Sequence, residues 1–333
     1  MTRETAYCFA ADLGGTKLAA AMADARGRIV AELTEPTDRR GGAYVAEQIA
    51  ACAGKLAQAV GVEVTRTRRV MVGVPGVIDP RTGRVSLIPN IAGLQDFDVL
   101  GYLRGRFGPD VAIENDVNLA MLGEQALGCA RGCHNAAFLA LGTGAGLGLL
   151  IDDKLFRGAH GAAGEIADLP VARDPTSQIP SATGAFELEV GSRAIVDRYR
   201  RQGGTVAVTV RDIFRLLEQG DELAASVLDT TARCVALAVV TLQSLLDLDL
   251  IVFGGSIGVR PELYERVQRA LPALFSRPIT IAPSILPVTM AQRLAGESNN
   301  SFMVAISHSR AAAVPDCRRP PTISAMTRME TVR

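Results

Sequence analysis

The sequence predicts an α/β protein of two domains, and three observations carry that reading. The chain has 333 residues, enough for about two domains at ~150 residues each. β-like apolar runs are interspersed with segments of helical spacing. One device also occurs twice, at residues 7–30 and 136–156: strand, Gly/Thr turn, strand, polar turn, strand. Between the two copies lies Ile113-Glu114-Asn115-Asp116-Val117-Asn118, with an amide and a carboxylate side by side. The expected division is a smaller domain at 1–116 and a larger one at 117–310. The aperiodic, Pro- and Arg-containing tail at 311–333 is expected to be disordered.

In the first copy, residues 7–11 lead into Asp12-Leu13-Gly14-Gly15-Thr16-Lys17, and a second apolar run fills 18–22. This is a β-meander with a Gly-rich first turn. Adjacent glycines let backbone N–H groups approach an anion, Thr16 adds a hydroxyl, and Asp12 can hold a hydrated Mg²⁺. A plain hairpin with Gly-Gly at its bend explains this turn equally well. It is not a P-loop, because no Gly-Lys-Ser/Thr opens a helix. Residues 42–60 have helical spacing and 69–74 read as a strand. Turn-rich sequence follows to Pro89-Asn90, where Asn90 can offer donor and acceptor to a polyol or simply form a turn.

After Asp116, residues 119–128 predict a short helix and 136–141 a strand. The strand ends in Gly142-Thr143-Gly144-Ala145-Gly146-Leu147-Gly148, read as a turn before a strand at 149–151. These alternating glycines do not fit the dinucleotide fingerprint. Residues 160–168 form a small-residue turn ending in Glu165 and Asp168, carboxylates able to accept hydrogen bonds from hydroxyls. A loop is expected at 172–183, then helices at 186–200 (with Glu187 in its first turn), 211–218 and 222–246. A buried strand at 249–253 runs into Gly254-Gly255-Ser256, a third point of close backbone approach, followed by a helix at 261–274.

Composition narrows the function classes. Hydrophobic residues are 48% and charged residues 21%, with Lys plus Arg equal to Asp plus Glu. No global field favours nucleic acid or an acidic membrane. Residues 1–11 lack the pattern of a signal peptide. The apolar run at 234–246 is shorter than the ~20 residues a bilayer requires and reads as a buried helix. Six scattered cysteines suggest no disulfide framework, which makes a reducing cytoplasm the simplest setting. Cys129, Cys133 and His134 cluster without a clear fourth ligand, so small buried or loop thiols are the favoured reading. A carboxylate at Asp116, between the two copies, can take a proton from a substrate held there. Its other role would be to cap the helix that follows.

Taken together, these turns resemble the sugar-kinase and actin ATPase architecture, and more closely the ROK family (repressors, open reading frames, kinases). The stretches that carry the resemblance are 12–17, 114–120, 141–144, 157–165 and 252–257. The resemblance implies two ribonuclease-H-like domains, the actin-like ATPase fold, with a cleft between them. Gly14, Gly15 and Thr16, beside Lys17, would meet the phosphates of ATP from one side, and Gly142, Thr143 and Gly144 from the other. Gly254 and Gly255 would lie along the adenosine. Asn115, Asp116, Glu165 and Glu187 would bind a sugar, with help from Asn90, and Asp116 would be the base. The implied function is ATP- and Mg²⁺-dependent phosphorylation of a sugar hydroxyl, with a homodimer allowed.

Three departures accompany the resemblance. Family kinases typically carry Gly-His where this chain has Ala167-Asp168. Their Cys-x-Cys-Gly-x-x-Gly-Cys zinc motif has no counterpart, since residues 169–187 contain no Cys or His, so no structural zinc is expected. The family's closing Gly-rich helix is not recognisable after Met290. The second function considered is a sugar-responsive repressor. It is disfavoured because Asp12 leaves no room before it for a helix-turn-helix domain. The third is a sugar-binding regulatory protein with weak or no kinase activity.

Overall fold

The computed structural model describes residues 7–87, 91–171, 184–206 and 209–286. The sequence signals at Asn90, at 172–183 and after 286 therefore lie outside the described residues.

Two five-stranded sheets have the same order. In the first, β1 (Tyr7–Leu13), β2 (Lys17–Asp24) and β3 (Ile29–Pro36) form an antiparallel meander. Helix α1 (Gly42–Val60) then leads to β4 (Thr67–Val74), which pairs parallel to β1. A small hairpin, β5 (Val77–Ile78) with β6 (Val85–Ser86), and helix α2 (Val99–Phe107) precede β7 (Val111–Asn115), parallel to β4. The order is β3-β2-β1-β4-β7. Helix α3 (Asp116–Leu127) crosses to the second sheet. There β8 (Ala136–Leu141), β9 (Ala145–Ile151) and β10 (Lys154–Leu155) repeat the meander.

Four helices follow: α4 (Glu187–Val190), α5 (Ser192–Arg201), α6 (Val210–Glu218) and α7 (Glu222–Leu246). Strand β11 (Leu250–Gly254) pairs parallel to β8. The short α8 (Gly255–Gly258) and α9 (Pro261–Leu274) then lead to β12 (Ile281–Pro283), parallel to β11. The order β10-β9-β8-β11-β12 reproduces that of the first sheet.

Each sheet has its own core. Phe9, Leu13, Val72 and Ile113 pack with Ile49, Leu56 and Leu103 on one. Leu139, Leu141, Ile251 and Phe253 pack with Ile195, Val235, Val239 and Val267 on the other. Helix α7 is 25 residues long and apolar enough, by length and composition alone, to cross a membrane. It reaches well beyond the apolar run noted in the sequence, and Val227, Leu228, Val235 and Val239 bury it in the second core. It is the central helix of a packed layer.

Three of the differences from the sequence reading bear on how the elements pack. Helix α2 was not anticipated, because Gly101 and Gly105 interrupt its apolar stripe. Its clear signal is the Asp98 cap, which accepts a hydrogen bond from the Gly101 N–H at 2.8 Å. The helix expected over 186–200 breaks at Gly191, where a Cβ would stand 2.9 Å from the Thr143 carbonyl oxygen. The Ser192 N–H instead donates to Gly142 O at 2.9 Å. Finally, the glycine turn is shorter than 142–148. Strand β9 starts at Ala145, and Gly146 and Gly148 lie inside it.

Those two glycines admit α3. A Cβ on Gly148 would lie 2.7 Å from Val117 O and 2.9 Å from the Met121 Cβ, and one on Gly146 would lie 2.8 Å from Val117 Cγ2. Gly148→Ala is therefore expected to destabilise the fold by about 1–3 kcal/mol through overpacking. Gly54→Ala serves as a control: its Cβ on α1 would meet nothing within 4 Å, so a gain of about 0.5–1 kcal/mol is expected. Urea unfolding of both variants checks the pair. Equal effects would remove the packing argument.

Candidate active site

The parallel strands β1, β4 and β7 end at one edge of the first sheet, and β8, β11 and β12 at the corresponding edge of the second. In open α/β sheets this is the edge at which ligands bind. The glycine turns and Asp116 all lie at these strand ends.

At the first turn, Gly14 N–H donates to Lys17 O at 2.9 Å. Thr37 braces the turn from behind, with its N–H on Thr16 O (3.1 Å) and its hydroxyl on Gly14 O (2.6 Å). The bonds that close the turn do not use the amides of Gly15 and Thr16, and both residues are exposed together with Lys17. Asp12, half-buried, closes β1 just before them. Exposed amides beside a hard carboxylate oxygen are a donor set that fits a phosphate and its hydrated Mg²⁺.

At the second turn, Gly142 N–H donates to Gly144 O at 2.9 Å. Glu187, at the start of α4, accepts a hydrogen bond from Ala145 N–H at 3.0 Å. A Cβ on Gly144 would come within 2.4 Å of the Glu187 Oε2. In this structure Glu187 thus holds the turn. Helix α4 is secured in turn by buried Arg198, which pairs with Glu189 and donates to Thr231 at 2.7 Å.

The third turn adjoins the second: a Cβ on Gly142 would be 3.6 Å from Ser256 Oγ. Here the glycines also serve the protein's own packing. A Cβ on Gly254 would strike the Phe138 ring at 2.0 Å. Gly255 has φ +77° and lies against Leu141 O.

Between the sheets, Asn115 rather than Asp116 caps α3. The Asn115 Oδ1 accepts from the N–H groups of Val117 (2.9 Å) and Asn118 (3.1 Å), and its Nδ2 donates to Gly76 O at 3.0 Å. Both ends of that amide are thereby in use. Asp116 is the first residue of the helix, and its Oδ1 accepts from Val117 N–H at 2.9 Å. Burial raises the Asp116 carboxyl above the usual range, and its backbone hydrogen bonds offset this only in part. Glu165 is raised too, first by burial and then by the negative charges of Asp168, Asp116 and Glu187. Glu165 thus lies within electrostatic range of three other anticipated carboxylates.

Two residues quoted in the motifs without a role turn out to organise this junction. Glu114, buried at the end of β7, accepts from both Nε (2.7 Å) and Nη2 (2.6 Å) of Arg157. It also accepts from Asn118 Nδ2 (2.9 Å) and Asn115 N–H (3.0 Å). A carboxylate at the buried end of an apolar strand needs a cation, and that was the available signal. The Cys129–Cys133–His134 cluster disperses: both thiols are buried, and the His134 ring faces Asp153 at 2.6 Å.

Gly76, Asn115, Val117 and Glu165 help to line a narrow cavity of about 30 Å³. That is room for about two waters, against ~300 Å³ or more for a small-molecule pocket. Beside it the two halves meet backbone to backbone, with Gly161 (φ +77°) set so close to Ile78 O that a Cβ would be 1.9 Å away.

The paired sheets and the glycine turns at their strand ends define an α/β protein of the actin-like ATPase fold, made of two ribonuclease-H-like halves. The ROK hexokinase structure from Thermus thermophilus superposes with a TM-score of 0.74 at 28% identity, over 87% of this chain and 97% of that one. The ROK family model matches residues 8–298, and the chain belongs to the ROK family. A glucokinase of Halalkalibacterium halodurans is 30% identical over 264 residues, 74% of this chain and 79% of that protein. An N-acetylmannosamine kinase of Yersinia pseudotuberculosis is 29% identical over 81% of this chain and 91% of its own length.

Removing Arg157 leaves a buried carboxylate without its cation. Arg157→Met is expected to destabilise the fold toward the low end of roughly 3–5 kcal/mol, because its side chain keeps 35% exposure. Adding Glu114→Gln should recover part of that loss in chemical denaturation. A double variant no more stable than the single one would contradict the pairing.

Proposed function

We propose that the protein is an ATP-dependent sugar kinase in which Asp116 is the general base. One observation carries the reading: a raised carboxyl stands at the head of α3, between the glycine turns of two like sheets and within electrostatic range of Glu165. A sugar hydroxyl is a poor nucleophile while it keeps its proton, and Asp116 would accept that proton as transfer proceeds. ATP would supply the phosphoryl group, and Asp12 would hold the hydrated Mg²⁺ whose charge offsets that of the phosphates. Gly15 and Thr16 offer amides to the phosphates from one side, and the 142–144 turn, steadied by Glu187, does so from the other. Glu165 and Asp168, with Asn90, would accept sugar hydroxyls. Asn115 would contribute by fixing the helix that carries the base. The relatives named glucokinase and N-acetylmannosamine kinase support a hexose or related sugar as acceptor.

The narrow cavity beside Asp116 implies motion. Residues 1–116 and 117–310 would act as two lobes that part at the Gly76–Ile78 and Gly161–Glu165 contact to admit a sugar and close again around it. A cytoplasmic, zinc-free enzyme fits the cysteine usage and the absence of Cys and His from residues 169–187. The alternative is a sugar-binding regulatory protein, favoured by Ala167-Asp168 standing where family kinases carry Gly-His.

A coupled ATPase assay over a sugar panel separates the two readings. On whichever sugar is active, Asp116→Asn should lower kcat by roughly 10²–10⁴-fold while sugar binding largely survives. Wild-type turnover in that variant would remove Asp116 from the chemistry, and a sugar that binds without ATP consumption would favour the regulator. The pH profile offers a further check. Asp116 works ionised and its pKa is raised, so kcat should fall with decreasing pH through an apparent value above the usual ~3.9 of an aspartate. A limb at or below that value would contradict the assignment.

A further inference from the structure

A larger cavity, of about 470 Å³, lies against Ile78, Glu114 and Arg157. It shares no wall residue with the cavity beside Asp116 and has the volume of a small-molecule site. Three arginines line it, from three separate places in the fold: Arg81 in the β5–β6 hairpin, Arg104 on α2 and Arg157 beyond β10. Two carboxylates accompany them, and both are already engaged. Asp79 accepts from the N–H groups of Arg81 (2.8 Å) and Thr82 (3.3 Å). Glu114 is held by Arg157, Asn118 and the Asn115 N–H. The arginines are less occupied. Arg81 meets Asp79 only loosely, at 3.7 Å, and Arg104 is exposed and forms no ion pair among the described residues. Ile78, Pro80, Leu100 and Ile113 supply an apolar wall.

We propose that this cavity binds a small organic phosphate. Its phosphate would lie against Arg81 and Arg104, and its carbon body against Ile78 and Leu100. Arginines from separate elements match the several oxygens of a phosphate dianion, and the apolar wall suits a carbon body beside it. Such a ligand would also touch Arg157, the cation that neutralises Glu114 beneath the head of α3. The binding itself does not rest on the proposed kinase activity.

Calorimetric titration with phenyl phosphate and with inorganic phosphate tests the site, on the wild type, Arg104→Glu and Arg81→Glu. Both arginines are exposed, and unchanged melting temperatures would show that the variants fold. Phenyl phosphate should bind the wild type, and each variant should weaken it at least about tenfold, the usual loss on removing a charge-assisted hydrogen bond. Inorganic phosphate should bind more weakly and respond to the same substitutions. No binding at millimolar phenyl phosphate would overturn the proposal. So would wild-type affinity in both variants, which would locate the probe at the glycine turns instead. Equal affinity for the two probes would refute the organic character of the ligand.

Discussion

A carboxylate taken out of water must find donors within the protein, and Glu114 finds all of its donors at one junction. Arg157 reaches it from the far half of the chain, and Asn118 and the Asn115 amide reach it from the start of α3. The cost of leaving any of these groups unmet fixes their relative positions. The end of β7, the first turn of α3 and the segment after β10 are thereby tied into one unit. Asn115 extends that unit to Gly76 on the other side. Asp116, one residue along, inherits a defined position without itself making the bonds that define it.

The same economy recurs at the second glycine turn. Glu187 accepts from Ala145 N–H, and its helix is anchored through Glu189 by Arg198, whose side chain is almost wholly buried. Groups that the resemblance assigns to ligands thus also hold the scaffold together. A catalytic carboxylate with a raised pKa costs stability, and a rigid surround is what keeps it in place. Asp168, Asp116 and Glu187 together raise Glu165, while Asp116 itself is raised by burial.

How much of this could be read from the residues depended on how local each signal was. Helix α9 occupies Pro261–Leu274 as expected, because Pro at its first turn and a clear apolar stripe mark it. The twofold meander was legible because strand, glycine turn and strand recur in the same order. Strands β7 and β12 escaped notice: five and three residues leave too little alternation to see. Gly146 and Gly148 were read as loop because glycine serves a turn and a close helix crossing alike. In the site, Asn115-Asp116 and Glu165 stood out as motifs, and the cap belonged to the neighbour of the residue considered for it. The Arg157–Glu114 pair spans 43 positions, and no spacing rule connects groups so far apart. Asn90 lies outside the described residues.

The bare backbone of β9 at Gly146 and Gly148 carries one more consequence. Helix α3 is joined covalently to the first sheet, yet it beds against a strand of the second, with no side chain between Val117 O and the strand. Helix α3 therefore belongs with the second half, and the boundary between the halves falls at its first turn. A cut that keeps the second sheet whole must therefore fall before α3 rather than after it. A fragment ending before β8 would leave α3 without its bed, and a fragment starting after α3 would leave β9 with a solvent-filled furrow. Two bare positions on β9 thus set where the duplicated chain can be divided, ahead of the helix and not behind it.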